Sequence, residues 1–122
     1  MHFKSSVVWQ KAMAWVEAVY RASGELPREE RFGVASQLRR AAVSVPSNIA
    51  EGWARESRKE KAQFLAIAQG SLAEAETLIL LAQRLRWIEP ERIDRLLLDV
   101  DEMSRMLTSL RRRFREQPCS KS

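Results

Sequence analysis

The stretch LRRAAVSVPSNIAEGWARESRKEK, residues 38–61, decides how many helices the chain holds. Leu38, Ala42, Val45 and Ile49 recur at helical spacing, and Pro46 stands among them. Proline has no amide proton, and its ring crowds the carbonyl four residues back, here that of residue 42. A break at Pro46 would make two helices of this segment. A kink would leave one. The apolar stripe keeps its phase across the proline, so the spacing predicts a single kinked helix over about residues 27–55. Ser44 and Asn48 stand close enough to satisfy freed backbone groups, and the kink would redirect the end that carries Arg55.

Working outward, Val8, Ala12, Trp15 and Val19 predict a first helix over about Ser6 to Ser23, with Gly24 as its stop. Pro27 suits the opening of the second helix, where Glu29 and Glu30 favour its positive end. Ser57, with Glu60 three residues on, reads as the capping box of a third helix. Its stripe is Phe64, Ala68, Ser71, Ala75, Leu78, Ala82 and Leu85, and a second stripe, Leu65, Leu72 and Ile79, runs beside it. A fourth helix starts near Pro90 and carries Ile93, Leu96, Val100, Met103, Leu107, Leu110 and Phe114. Spacings that alternate three and four are the rhythm of a bundle, and short connections make neighbours antiparallel. The expected fold is all-α: an up-down-up-down four-helix bundle over residues 1–117, with a disordered tail over 118–122.

Composition agrees. A chain of 122 residues suits one domain, and four glycines and four prolines are too few for the turns of an all-β fold. The one cysteine, Cys119, cannot form an internal disulfide, which fits a reducing cytoplasm. The N-terminus lacks a signal h-region. No apolar run approaches the roughly 20 residues needed to span a membrane, and the densest, Leu78 to Ala82, is far too short, so no membrane partner is expected. A helix in a small monomeric bundle needs only one apolar face. The second stripe of helix three, together with tryptophans outside the main stripes, therefore points to an oligomer interface made by Trp9, Trp53, Leu65, Leu72 and Ile79. Pro46, Asn48, Gly52 and Gly70 read as structural, the glycines allowing a neighbour to approach closely.

Catalytic chemistry has little to build on. His2 is the only histidine and lies at the terminus, and Cys119 has no partner of its kind. There is no Glu-x-x-His pair and no phosphate-cradling glycine loop. Glu74 and Glu76, two apart on a helix, do not face each other. Asp99, Asp101 and Glu102 read most simply as a solvated face. The expectation is a protein that is not an enzyme, with no metal site and no cofactor.

Charge is more informative. The net charge is +5, spread unevenly. Residues 39–61 carry six cations against three anions, residues 105–122 six against one, and residues 62–104 four against eight. Arg39, Arg40, Arg55, Arg58 and Lys59 form one basic set; Arg111, Arg112, Arg113 and Arg115 form another. Basic residues at a helix C-terminus complement its dipole, but three consecutive arginines point in three directions. Arginine pairs well with phosphate, so these nine residues are the candidate contacts to RNA or DNA. No base-reading module is present, so binding would be backbone-driven and salt-sensitive. The alternative is a protein-interaction scaffold, in which the same cations meet acidic groups of neighbouring subunits or of another protein.

Several motifs together resemble a bacterial four-helix-bundle family, the one named for proteins encoded in 23S rRNA intervening sequences. They are Val8-Trp9-Gln10-Lys11-Ala12, Tyr20, Leu26-Pro27, Glu30, Phe32-Gly33 and Gln37-Leu38-Arg39-Arg40-Ala41. The hallmark Ser44-Val45-Pro46-Ser47-Asn48-Ile49-Ala50-Glu51-Gly52 follows with Arg55, then Phe64 through Leu72 with Glu74 and Glu76. The resemblance spans about residues 3–90. Ala75 stands where leucine is commoner, and Lys61 where an aromatic is commoner. The resemblance implies a four-helix bundle, assembly as a homopentamer around a central channel, an association with ribosomal RNA and no catalytic activity. A similar group serves as the accessory protein of diversity-generating retroelements, which implies a reverse transcriptase and its template RNA as further partners.

Overall fold

The computed structural model describes residues 2–116. The tail expected over 118–122, with Cys119, lies outside them. Four helices follow in order: α1 over Val7–Ser23, α2 over Val34–Ala54, α3 over Arg58–Arg84 and α4 over Pro90–Arg115. Short 3-10 turns, Phe3–Ser5 and Arg28–Glu30, precede α1 and α2. Each helix packs on its two ring neighbours, α1 on α2, α2 on α3, α3 on α4 and α4 back on α1. The fold is the expected four-helix bundle.

Local chemistry sets the boundaries. The Ser6 hydroxyl accepts from the Trp9 N–H and caps α1. The Ser57 hydroxyl accepts from the Glu60 N–H at 3.0 Å, the bond expected of the capping box. Pro90 occupies the first turn of α4, where its missing N–H costs nothing. The start of α2 differs from the expectation. Pro27 is extended and leads into the Arg28–Glu30 turn, so the helix begins at Val34, not at residue 27. There the Glu30 carboxylate accepts from the Val34 N–H at 3.1 Å, the capping role its charge foreshadowed. At the end of α3, Arg86 adopts a left-handed φ of 59°. The Trp87 N–H bonds the Ala82 carbonyl and the Arg86 N–H bonds that of Gln83, a Schellman stop with arginine in the position glycine usually holds.

The segment around Pro46 is one continuous helix. Pro46 itself is buried. Beside it, Ser47 Oγ donates to the Val43 carbonyl at 2.9 Å, and Asn48 Nδ2 to the Ser44 carbonyl at 2.8 Å. These donors reach the carbonyls of Val43 and Ser44, one and two residues beyond the Ala42 carbonyl that the proline deprives of its amide partner.

The core runs through all four helices, with Trp15, Leu38, Ile49, Leu65, Leu72, Ile79, Leu96 and Leu107 fully enclosed. Three of these overturn the interface expected on α3. Leu65, Leu72 and Ile79 are 1%, 2% and 0% exposed, so they belong to the monomer's interior. Apart from Leu85, which is exposed just past the end of α3, both α3 stripes face inward because α3 is gripped from two sides, by α2 and α4. Trp9 and Trp53 are half-buried against the same core, Trp9 edge-on to Phe3 and Trp53 edge-on to Phe114.

The two glycines separate. A Cβ on Gly52 would lie 3.3 Å from Phe64 Cβ and 3.4 Å from the Lys61 carbonyl, so Gly52 lets α2 and α3 close together. A Cβ on Gly70 would meet nothing within 4 Å, so close approach within the chain does not explain that glycine. Gly70 lies on the outward face of α3, with Ile67 on one side and Leu80 and Leu81 further along. By length and composition α3 is apolar enough to cross a membrane, with a mean hydropathy of 1.4 over 18 residues. That apolarity comes from the core stripes together with the outward Ile67, Leu80 and Leu81, so α3 carries a longer apolar segment than the Leu78–Ala82 run suggested.

Candidate nucleic-acid interface

Antiparallel packing gathers charge that is far apart in the chain. The connection Arg55–Ser57 turns α2 directly into α3, so the end of α2 and the start of α3 lie at one end of the bundle. Because α4 runs antiparallel to α3, its last turns return to the same place. Segments 51–61 and 111–116 together hold eight cations and four carboxylates.

Some of these cations have work within the chain. Lys61 Nζ donates to the Trp53 carbonyl at 3.1 Å, serving the open end of α2. The Arg58 guanidinium donates to the carbonyls of Arg113 and Glu116 at the end of α4 and lies over the Phe114 ring. Arg55 covers the ring of Phe64, its Cζ 4.6 Å from the centroid, and pairs loosely with Glu51 at 3.7 Å. Arg111 is half-buried, and its Nη1 donates to Gln69 Oε1 at 2.8 Å. Gln69 in turn donates to Ser104 and Thr108 of α4, so it locks α3 to α4 and aims the arginine. Lys59, Arg112, Arg113 and Arg115 are exposed, with no carboxylate within 4.0 Å among the described residues.

Between α3 and α4 these groups border a groove of about 420 Å³. Arg58, Lys59, Arg111 and Arg115 stand at its edges, and Ala62 and Phe114 give it apolar surface. An anion seated there would meet fixed guanidinium groups above a partly apolar floor.

The structure therefore brings together seven of the nine candidate contacts: Arg55, Arg58, Lys59, Arg111, Arg112, Arg113 and Arg115. It leaves Arg39 and Arg40 apart. They lie near the start of α2, about 24 Å along the helix from Arg55 at 1.5 Å per residue. Arg40 borders a hollow with Gln37, Ser44, Ser71 and Glu74. Gln69 and Phe114 were missed as members of the site. Phe114 was visible only as a core heptad residue, and the role of Gln69 depends on a neighbour 42 residues away.

The acidic group of α4 also needs correction. Asp99 and Glu102 clamp Lys11 of α1 at 3.3 and 2.5 Å, so they are not merely a solvated face. The bond to Glu102 is the main cause that raises the Lys11 pKa, and the bond from Lys11 lowers that of Glu102.

Residues 4–109 match the family model described as 23S rRNA-intervening sequence protein. The chain belongs to that family. A crystal structure of a protein of unknown function from the S23 ribosomal protein family of Bacteroides thetaiotaomicron has the same fold. It superposes with a TM-score of 0.79 and 26% identity, covering 85% of this chain and 97% of that one. No curated protein matches the sequence. The family match reaches from the start of α1 through most of α4 and stops just short of the Arg111–Arg115 cluster.

Proposed function

We propose that this member of the 23S rRNA-intervening sequence family is a non-enzymatic, oligomeric, cytoplasmic protein that binds RNA through its phosphate backbone. The supporting observation is the convergence of seven candidate cations at one end of the bundle, six of them, all but Arg55, without a carboxylate partner among the described residues. Fixed guanidinium groups along a groove suit phosphate, and nothing about them favours one base over another.

Filter binding of a structured RNA at 50 and 200 mM salt tests the reading. If about four phosphates are neutralised, affinity should fall on the order of 50–150-fold across that range. Replacing Lys59, Arg112, Arg113 and Arg115 together by glutamine should flatten the salt dependence. Affinity indifferent to salt, or a quadruple variant that binds as well as the parent, would overturn it.

Assembly belongs to the same proposal, with a homopentamer as the expected state. Its surface is the outward face of α3, where Ile67 is 50% exposed, Leu80 and Leu81 are 38% exposed, and Gly70 leaves open space. Gly70→Leu should dissociate the oligomer in sedimentation velocity while the helical content is kept. The scaffold reading, including an accessory role beside a reverse transcriptase, makes a different forecast. Neutralising the arginines would then dissociate the assembly, and RNA affinity would stay at background throughout.

A further inference from the structure

At the other end of the bundle, where α1 gives way to α2, three arginines border one small hollow. Residues three apart in a 3-10 helix lie on the same side, so the Arg28–Glu30 turn sets Arg28 and Arg31 together. Arg39 reaches the same place from α2. Its Nε donates to Ser23 Oγ at 2.8 Å, and its Cζ lies 5.5 Å from the centroid of the Tyr20 ring. Ser23 is itself buried and donates to the Tyr20 carbonyl. Arg39 is thus held in one pose by groups that leave its terminal nitrogens available. The hollow has a volume of about 250 Å³ and includes Ser23, Gly24 and the three arginines in its wall.

The nearby carboxylates are engaged elsewhere or stand clear. Glu25 pairs with Arg92 at 2.7 Å and accepts from the Glu89 N–H. Glu30 caps α2 at Val34. Glu29 is exposed, and among the described residues no carboxylate lies within 4.0 Å of Arg28, Arg31 or Arg39. Three like charges around one hollow repel unless an anion sits between them. Arginine forks match phosphate oxygens, and a terminal phosphate carries about −1.5 to −2 charges at pH 7, more than a backbone diester. Beside the hollow, Phe32 is 89% exposed, with Arg31 Cζ 5.3 Å from its ring centroid. An exposed ring next to a phosphate site is a surface on which a base can stack.

We propose that this corner is a second anion site, separate from the basic end, which takes the terminal phosphate of a nucleotide or of a nucleic-acid strand. Arg28, Arg31 and Arg39 hold the phosphate, and Phe32 receives the base. The site stands on its own geometry and does not depend on binding at the other end.

Fluorescence anisotropy with a short RNA bearing either a 5′-phosphate or a 5′-hydroxyl is the test, with calorimetric titration of a nucleoside 5′-monophosphate alongside. The phosphorylated strand should bind about tenfold more tightly. The paired substitution Arg28→Ala, Arg31→Ala should abolish that difference and leave the affinity for the hydroxyl-ended strand unchanged. Both residues are exposed, and circular dichroism should show the bundle intact. Saturable binding of the mononucleotide, lost in the paired variant, identifies a free nucleotide as sufficient. A strand-end preference without mononucleotide binding identifies the strand as the source. Equal affinity for both strand ends with no mononucleotide binding overturns the proposal, as does a preference that survives the paired substitution. If no strand binds but the mononucleotide does, the RNA-binding reading of the basic end falls and this site stands.

Discussion

The seam between α2 and α3 and the seam between α1 and α4 are held by different chemistry. Small and neutral polar groups close the first. Gly52 removes a side chain where the helices touch, and the Ser44 and Ser71 hydroxyls bond each other at 2.8 Å. Asn48 Nδ2 donates to Ser44 Oγ at 2.9 Å, so the residues around Pro46 also serve the contact with α3. Charge closes the second seam, through Lys11 between Asp99 and Glu102. Close packing of neutral groups tolerates little change in volume and is indifferent to pH. A half-exposed ion pair tolerates changes of shape, is screened by salt and depends on protonation.

That contrast can be tested in order of expected effect. Gly52→Leu should be the most damaging, because the added atoms meet Phe64 and the Lys61 backbone; overpacking costs about 1–3 kcal/mol in urea denaturation. Ser44→Ala should cost about 1 kcal/mol, since it strips one partner from both Ser71 and Asn48. Gly70→Ala should stabilise the monomer by about 0.5–1 kcal/mol, as helix propensity rises and nothing is crowded. Stability lost at Gly70 and gained at Gly52 would reverse the assignment of which glycine sits in a contact.

The smallest effect is expected at the charged seam, in a comparison of Lys11→Met with the parent across pH. Lowering of the Glu102 pKa means its contribution is present above its ordinary 4.5 and disappears as pH falls through the lower folded value. Raising of the Lys11 pKa means its contribution is full below 10.5 and is lost as pH rises through the higher folded value. The two proteins should therefore differ by a constant amount between about pH 5 and 10 and converge at both extremes. A difference that persists in strong acid would show that Lys11 acts through packing of its alkyl stem.

Much of the bundle could be read in one dimension because its signals are local. The caps Ser57 and Pro90, the stop near Gly24 and the stripes of all four helices depend on residues within a few positions of one another. The start of α2 was misplaced because Pro27 is as good an opening for a 3-10 turn as for an α-helix. The misreading of Leu65, Leu72 and Ile79 had a different cause. Periodicity shows that a side is apolar, but not whether a second helix or a second subunit covers it. Likewise Asp99 and Glu102 look solvated until α1 places Lys11 against them, 88 and 91 positions away in the chain.

Sequence alone determined four amphipathic helices, their order, the survival of α2 through Pro46 and the presence of two basic segments. These follow from side-chain spacing and from residues that act on adjacent backbone. Tertiary structure determined which cations meet: α4 brings Arg111–Arg115 back to Arg58 and Lys59, while Arg39 is carried to the opposite end beside Arg28 and Arg31. The reason is geometric. Antiparallel packing joins the end of one helix to the start of the next and separates the ends of a single helix by its full length.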